Sequence, residues 1–455
     1  MKILIRGAGD LATGVASRLF RSGHDIIMTE IAVPLTVRRM VALSRAIYEK
    51  EAVVEDMKGV LVKDYEEALC VLEDGNIPVI VDPEANIRFD FEPDVIIDCI
   101  LAKRNIGTKI IDAPLVIGVG PGFTAGVDCN CVVETKRGHT LAETIYKGKA
   151  IADTGIPGNI GGFSVERIIR ATNFGKMEPV AHISDVVEKG QVVAITGGKE
   201  VYAKMGGIVR GMLQEGVDVK PNMKIGDIDA RSELFHCFTI SDKARAIGGG
   251  VLEVVTAFEH MKDKFAIVVL AAGKSTRFGD GNKLLAEIDG KKLYSYTLDR
   301  MEAFASIPKF IVTGYNEIAD DASLRGMNVI MNDKPEEGIS RSIKMGLKEV
   351  IEMYPDVQGV LFSVCDQPEL DTSTIQRIFN EAMKHKGHII RTISDGVKGN
   401  PVLWDRRYFD ELLNIEGDQG GKQLMDKFAD KLLYIEADEK ELRDIDYKKD
   451  IEKCF

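Results

Sequence analysis

Residues 265–283 read FAIVVLAAGKSTRFGDGNK, and their types and order suit phosphate chemistry. The apolar run Phe265 to Ala271 has the length of a buried strand. It empties into Ala272-Gly273-Lys274-Ser275-Thr276-Arg277, followed by Gly279 and Lys283. A strand that ends in a loop of backbone N–H groups, with Arg277 and Lys283 nearby, is a way to hold a polyphosphate. The plainer alternative is an ordinary turn between strand and helix. A matching acidic motif downstream weighs against it.

That motif is the apolar run Val360 to Val364, which delivers Cys365-Asp366-Gln367-Pro368. An Asp at the end of a buried strand is a recurring holder of Mg²⁺ beside phosphates, against the alternative of a mere turn residue before proline. Glu337 to Gly346 reads as a helix start carrying Ser340 and Ser342, suited to a ribose or base or simply to capping. Gly399-Asn400-Pro401 and Gly417-Asp418-Gln419-Gly420-Gly421 follow, and Asp418 is a candidate second carboxylate for the metal. Catalytic expectations therefore fall on Arg277, Lys283 and Asp366. Nucleotide binding is expected of Leu270, Ala271, Ala272, Gly273, Lys274, Ser275, Thr276 and Ser342, and metal binding of Asp366 and Asp418.

A second constellation opens the chain. Gly7-Ala8-Gly9-Asp10-Leu11-Ala12 follows the strand-like Lys2–Arg6 and begins a helix-like stretch, and Glu30 stands about twenty residues on, where a dinucleotide fold places its ribose-binding acid. Asp10, a negative charge beside the supposed phosphate position, opposes that reading. Gly118 to Asp128 is another glycine-rich loop. Gly7, Gly9, Asp10, Glu30, Gly120 and Gly122 thus form a candidate site, with a nucleotide as candidate ligand and a ligand-free Rossmann-like fold as the alternative.

The elements that must position these residues fall into three stretches. Residues 1–177 alternate strand and helix patterns, which implies an α/β domain with a parallel sheet. Residues 178–257 carry short strands, and Val187 to Val193 nearly repeats as Val219 to Ile225. This resembles the barrel-sandwich hybrid of biotinyl and lipoyl carriers, with Lys199 near the hairpin tip and expected to be an ordinary exposed lysine. The polar residues 258–264 read as a linker, and a second α/β unit fills 265–455, its Glu439 to Lys453 run expected to be solvated helix faces.

Composition bounds the partners. A length of 455 residues exceeds one hydrophobic core. The net charge of −12 argues against a general nucleic-acid binder but leaves room for a local basic cluster that receives an anion. No apolar run approaches the ~20 residues of a membrane span, so a cytoplasmic protein without membrane contact is expected. Seven scattered cysteines without a C-x-x-C pair fit reduced thiols, and Cys129 and Cys131 read as buried small side chains on one strand face. Neither they nor the seven histidines suggest a metal cluster.

Two resemblances add to this reading. The segments around 270–283, 338–346, 360–368, 399–403 and 417–422 resemble the nucleotidyltransferases of molybdenum-cofactor synthesis, over essentially all of 265–455. Leu270-Ala271-Ala272-Gly273 is similar to the cytidylyltransferase branch rather than to the Leu-Ala-Gly-Gly of the guanylyltransferases. The resemblance implies a Rossmann-like fold, Mg²⁺, CTP and a molybdopterin acceptor as substrates, and pyrophosphate as a product. A sugar- or polyol-phosphate acceptor is the alternative. Residues 1–257 resemble the YqeB family of selenium-dependent molybdenum hydroxylase systems through RGAGDLATGVASRL, GVGPGFTAGVD, KIGDIDAR and TISDKARAIGGGVLE. That implies cofactor maturation, with a molybdenum hydroxylase apoenzyme as partner, or else a non-catalytic scaffold or insertion chaperone.

Overall fold

The computed structural model describes residues 1–153, 155, 162–262, 264–275, 278–279, 281–304, 306–416 and 421–451, with no side-chain description for Lys262. The chain divides into two compact units, Met1–Val255 and Thr256–Phe455.

In the first unit Ile3, Leu4 and Ile5 are fully buried, the continuous apolar pattern of a strand covered on both faces. Their strand, Lys2–Arg6, is central in a nine-stranded sheet. Its parallel neighbours are Asp25–Glu30 on one side and Val95–Asp98 on the other. Strand order thus reverses at Lys2–Arg6, which leaves a crevice beyond the carboxyl ends. The helix Asp10–Arg21 starts there, with Leu11, Val15 and Leu19 buried along one face. Leu115–Val119 and Cys131–Val133 extend the sheet in parallel. Cys129 and Cys131 are fully buried, and burial pushes the Cys129 thiol up to about 12. They pack as small apolar groups.

Two four-stranded antiparallel sheets complete this unit, beginning at Ile168. Val187 and Val219 each end a two-residue strand, and a turn then leads into Val192–Thr196 or Lys224–Asp229, so the near-repeat is repeated structure. Met177, Val193, Val209 and Ile225 fill one shared core. Lys199 is exposed beside the Gly197-Gly198 turn. The helix Asp242–Lys262 follows. Gly14 faces its first turns: a Cβ there would lie 2.5 Å from Ala244 Cβ, and one at Gly248 would lie 2.6 Å from the Gly14 carbonyl oxygen. The two helix backbones therefore touch without side chains between them.

The stretch expected as a linker is helical through Lys262. Val251, Val254, Val255, Phe258 and Met261 recur at helical spacing and are buried, and this outweighs the polar residues between them.

The second unit is built on a seven-stranded mixed sheet. Phe265–Ala271 lies parallel between Lys309–Thr313 and Gly359–Val364. Asn328–Met331 extends one side, and Val397–Asp405, Ile389–Ser394 and Leu432–Glu436 extend the other. Ala266, Val268, Phe310 and Val360 are buried in one core with Leu347 of the helix Ile339–Met353. Register aligns Ala271 with Thr313 and Leu270 with Val364, so the loops after three strands meet at one end.

In the run from Glu439, the helix Lys448–Ile451 buries no residue, but the part before it is not a solvated helix face. Glu441 is buried, accepting from the Asp371 N–H at 3.1 Å and the Thr374 hydroxyl at 2.6 Å. A capping box with Asp438 fixes the short turn Glu439–Leu442. This anchor draws the following residues, Arg443 to Asp446, along the sheet end, where the Ile445 N–H donates to the Asp366 carbonyl at 2.9 Å.

Candidate active site

A cavity of about 610 Å³ lies where the second unit's strand order reverses. Leu270, Ala272, Gly273, Lys274 and Ser275 line it from the loop after the central strand. Ala271 does not; it is buried, and its carbonyl accepts from the Thr313 hydroxyl at 3.1 Å. The Tyr315 hydroxyl donates to the Gly273 carbonyl at 2.9 Å, and Ser275 donates to the Asn282 side chain at 3.0 Å, so the loop is tied at both ends. A Cβ at Gly273 would meet only open space. Internal packing does not ask for glycine there, whereas a ligand lying on the backbone would.

Gly338, Ile339 and Ser342 line the opposite side at the start of the helix Ile339–Met353. Gly338 takes φ +85° where this helix begins, and its carbonyl accepts from the Arg341 N–H at 3.2 Å. Ser342 accepts from Asn332 at 3.0 Å, while the buried Ser340 hydroxyl has no partner.

The charged centre is Lys283. Its ammonium lies 2.7 Å from Asp366 Oδ2 and 3.0 Å from Asp446 Oδ1. Burial works against that charge, but Asp366 and Asp446 outweigh it and hold the lysine above its ordinary pKa. The other Asp366 oxygen, Oδ1, is buried without a hydrogen-bond partner among the described residues. An orphaned carboxylate oxygen beside a cavity is a vacant coordination position for a hard cation. Asp366 and Asp446 are the described residues that fit one, since Mg²⁺ takes one or two carboxylates and completes its shell with phosphate and water. Burial, and then Asp366, raises the Asp444 carboxyl to about 6 even though Asp444 as a residue remains solvent-exposed. It accepts from Gln367 at 3.0 Å.

The structure thus brings together Lys283, Asp366, Ser342 and the loop residues. Thr276, Arg277 and Asp418 lie outside the described residues, and Gly399 and Asn400 do not line the cavity. Asp446 was missed by the sequence reading. Its signal was the Asp444-Ile445-Asp446 alternation, hidden inside a run that looked merely charged.

In the first unit, Gly7, Gly9, Asp10 and Glu30 line a larger cavity of about 910 Å³. Gly7 sits at φ +96°, where a Cβ would crowd the Cys99 carbonyl at 3.1 Å. Glu30 is engaged, accepting from the Ala8 N–H at 3.0 Å and the Ile31 N–H at 2.9 Å, and burial raises its pKa. Asp10 pairs with Arg38 at 3.6 Å. Gly120 and Gly122 are not on the cavity wall. A Cβ at Gly120 would lie 2.9 Å from the Thr135 hydroxyl, and one at Gly122 would lie 2.6 Å from the Arg104 nitrogen. Their glycines answer packing.

Residues 267–432 match the model of the MobA-like NTP transferase domain. Over 145 residues the chain is 28% identical to the molybdenum cofactor guanylyltransferase of Rhodopseudomonas palustris (strain BisB5), which covers 31% of this chain and 66% of that protein. It is 45% identical over 268 residues to the uncharacterized protein YqeB of Escherichia coli (strain K12), which covers 59% of this chain. The chain spans half the length of that relative. The solved structure of Rv0371c from Mycobacterium tuberculosis H37Rv is 24% identical, covering 42% of this chain and 97% of its own, at a TM-score of 0.37. Among the described residues no helix is long and apolar enough to cross a membrane. The chain thus joins a part similar to YqeB to a part, residues 267–432, that matches the model of the MobA-like NTP transferase domain.

Proposed function

We propose that the second unit transfers a nucleoside monophosphate from a nucleoside triphosphate to the terminal phosphate of molybdopterin, releasing pyrophosphate. The observation that carries this is Lys283 held between Asp366 and Asp446 at the mouth of a glycine-bearing loop, with one Asp366 oxygen unsatisfied. The acceptor phosphate is already an anion, so no general base is needed. The protein's work is alignment and charge stabilisation. The 272–275 backbone would receive phosphate oxygens, and Lys283 would offset charge on the leaving group. Arg277 is proposed to join it from the same loop, and Asp418 to join the metal's carboxylates. Mg²⁺, held by Asp366 and Asp446, would supply Lewis-acid stabilisation of the transferred phosphoryl group.

We propose CTP as the donor, because Ala272 stands where guanylyltransferases carry glycine. A GTP donor is the second reading, and the names of the relatives favour it. Pyrophosphate release by the full chain with molybdopterin, Mg²⁺ and either CTP or GTP separates them. CTP-dependent release supports the proposal, and GTP-dependent release overturns the base assignment alone. Release with neither, or only with a sugar phosphate as acceptor, overturns the reading. For the first unit we propose a part in maturing selenium-dependent molybdenum hydroxylases, with the small sheets as a variant barrel-sandwich hybrid domain. Turnover of a substrate by that unit would favour catalysis over a scaffold.

A further inference from the structure

The larger cavity of the first unit has a charge unlike that of the chain around it. Seven basic and four acidic side chains line it, in a protein whose net charge is −12. The acids are also spent. Asp10 pairs with Arg38, Asp153 pairs with Lys103 at 2.6 Å, and Glu30 is held by the loop N–H groups. Asp227, which is 1% exposed, is clamped by Arg167 and Arg210. Three lysines on the wall are left over: Lys136, which is exposed on the loop after Cys131–Val133, and the two that the fold carries in from later elements. Lys224 opens the strand Lys224–Asp229, and Lys243 lies in the first turn of the helix Asp242–Lys262. Among the described residues neither makes an ion pair or a side-chain hydrogen bond; Lys224 is exposed and Lys243 half-buried, and the pKa of each is lowered.

We infer that this cavity is a binding site for a phosphate-bearing small molecule, held by Lys224 and Lys243. Two unpaired ammonium groups on a wall where basic side chains outnumber acidic ones leave a positive field that a ligand anion offsets. Lysine serves as a point charge for phosphate. The volume suits a ligand of nucleotide or pterin size. Arg38 adds a buried Nε without a partner on the same wall. The one cysteine on the wall, Cys99, is buried, and its thiol is pushed far above the usual range. It differs from a dinucleotide site, because Glu30 and Asp10 serve the protein's own loop and Arg38, and the positive charge comes from strand and helix residues far later in the chain.

The test reads these lysines directly in the full chain. Lysines are acylated with an N-hydroxysuccinimide ester and quantified by peptide mass spectrometry, with tripolyphosphate, with citrate, or with sodium chloride at equal ionic strength. Tripolyphosphate should protect Lys224 and Lys243 severalfold and leave the exposed Lys199 unchanged. Equal protection by citrate overturns the phosphate assignment, and no protection beyond the salt control overturns the site. As a second arm, Lys224→Gln/Lys243→Gln should weaken tripolyphosphate binding in a Lys283→Ala background by at least about tenfold. Lys224→Arg/Lys243→Arg should retain it. Unchanged affinity in the glutamine variant, with an unchanged circular dichroism spectrum, overturns the proposal.

Discussion

The two cavities handle charge in opposite ways. In the second unit the cation is owned: Lys283 is shared by Asp366 and Asp446, and what remains vacant is a carboxylate oxygen. In the first unit the carboxylates are owned, and what remains vacant are the ammonium groups of Lys224 and Lys243. Similar strand topology, with a loop at the carboxyl end of a central strand, therefore serves different ends. One site invites a cation together with an anion, as phosphoryl chemistry needs. The other invites an anion alone, as binding needs.

Removing the vacant oxygen should have the largest effect. Asp366→Ala should lower pyrophosphate release by at least about a hundredfold with an unchanged circular dichroism spectrum, and full release would remove the metal assignment. Lys283→Ala comes next. It leaves Asp366 and Asp446 facing each other without a cation, so about tenfold or more of activity should go, together with about 2 kcal/mol of stability by urea unfolding. If activity falls and stability does not, Lys283 acts on substrate alone.

Glu441→Ala tests whether the anchor matters to the site it serves. Losing a buried acceptor of two side-chain or backbone bonds should cost about 2 kcal/mol and lower activity by displacing Asp446. Gly14→Val is the matching test in the first unit. Crowding against Ala244 should cost about 1–3 kcal/mol there while pyrophosphate release stays at its wild-type value.

The smallest effect should come from Asp444→Asn. With a folded pKa raised to about 6, Asp444 contributes stability below its unfolded value, and that contribution is lost as pH rises through about 6. The asparagine variant should therefore gain on wild type between about pH 5 and about pH 8, by less than about 1 kcal/mol because the residue is solvent-exposed. A gain of the opposite sign in urea titrations would show that Asp444 is stabilised as an anion.

Much of this contrast could be read before any coordinates. The strands Lys2–Arg6 and Phe265–Ala271 have the expected bounds, because apolar runs that end in glycine-rich turns leave few options. Lys283 and Asp366 were legible for the same reason: each lies just beyond a strong element. Asp446 was not, since nothing local distinguishes it from the charged residues around it; only the buried Glu441, 67 and 70 residues from its partners, draws the segment inward. Nor were Lys224 and Lys243 legible. Their meaning depends on which carboxylates already have partners, and those pairings run between elements far apart in sequence. The linker reading of 258–264 failed because polar content was weighed over the helical spacing of Phe258 and Met261.

The seam at Gly14, Ala244 and Gly248 has a consequence for the order of assembly. The helix that begins at the Gly7–Asp10 loop leaves the ribosome well before its backbone partner and the two unpaired lysines, which follow about two hundred positions later. Until the chain has returned past residue 243, one wall of the larger cavity does not exist. Occupancy of that cavity would then report a finished unit: a chain cut before Ser241 would lack Lys243 and the close helix contact together, and would lose ligand capture at the same cut.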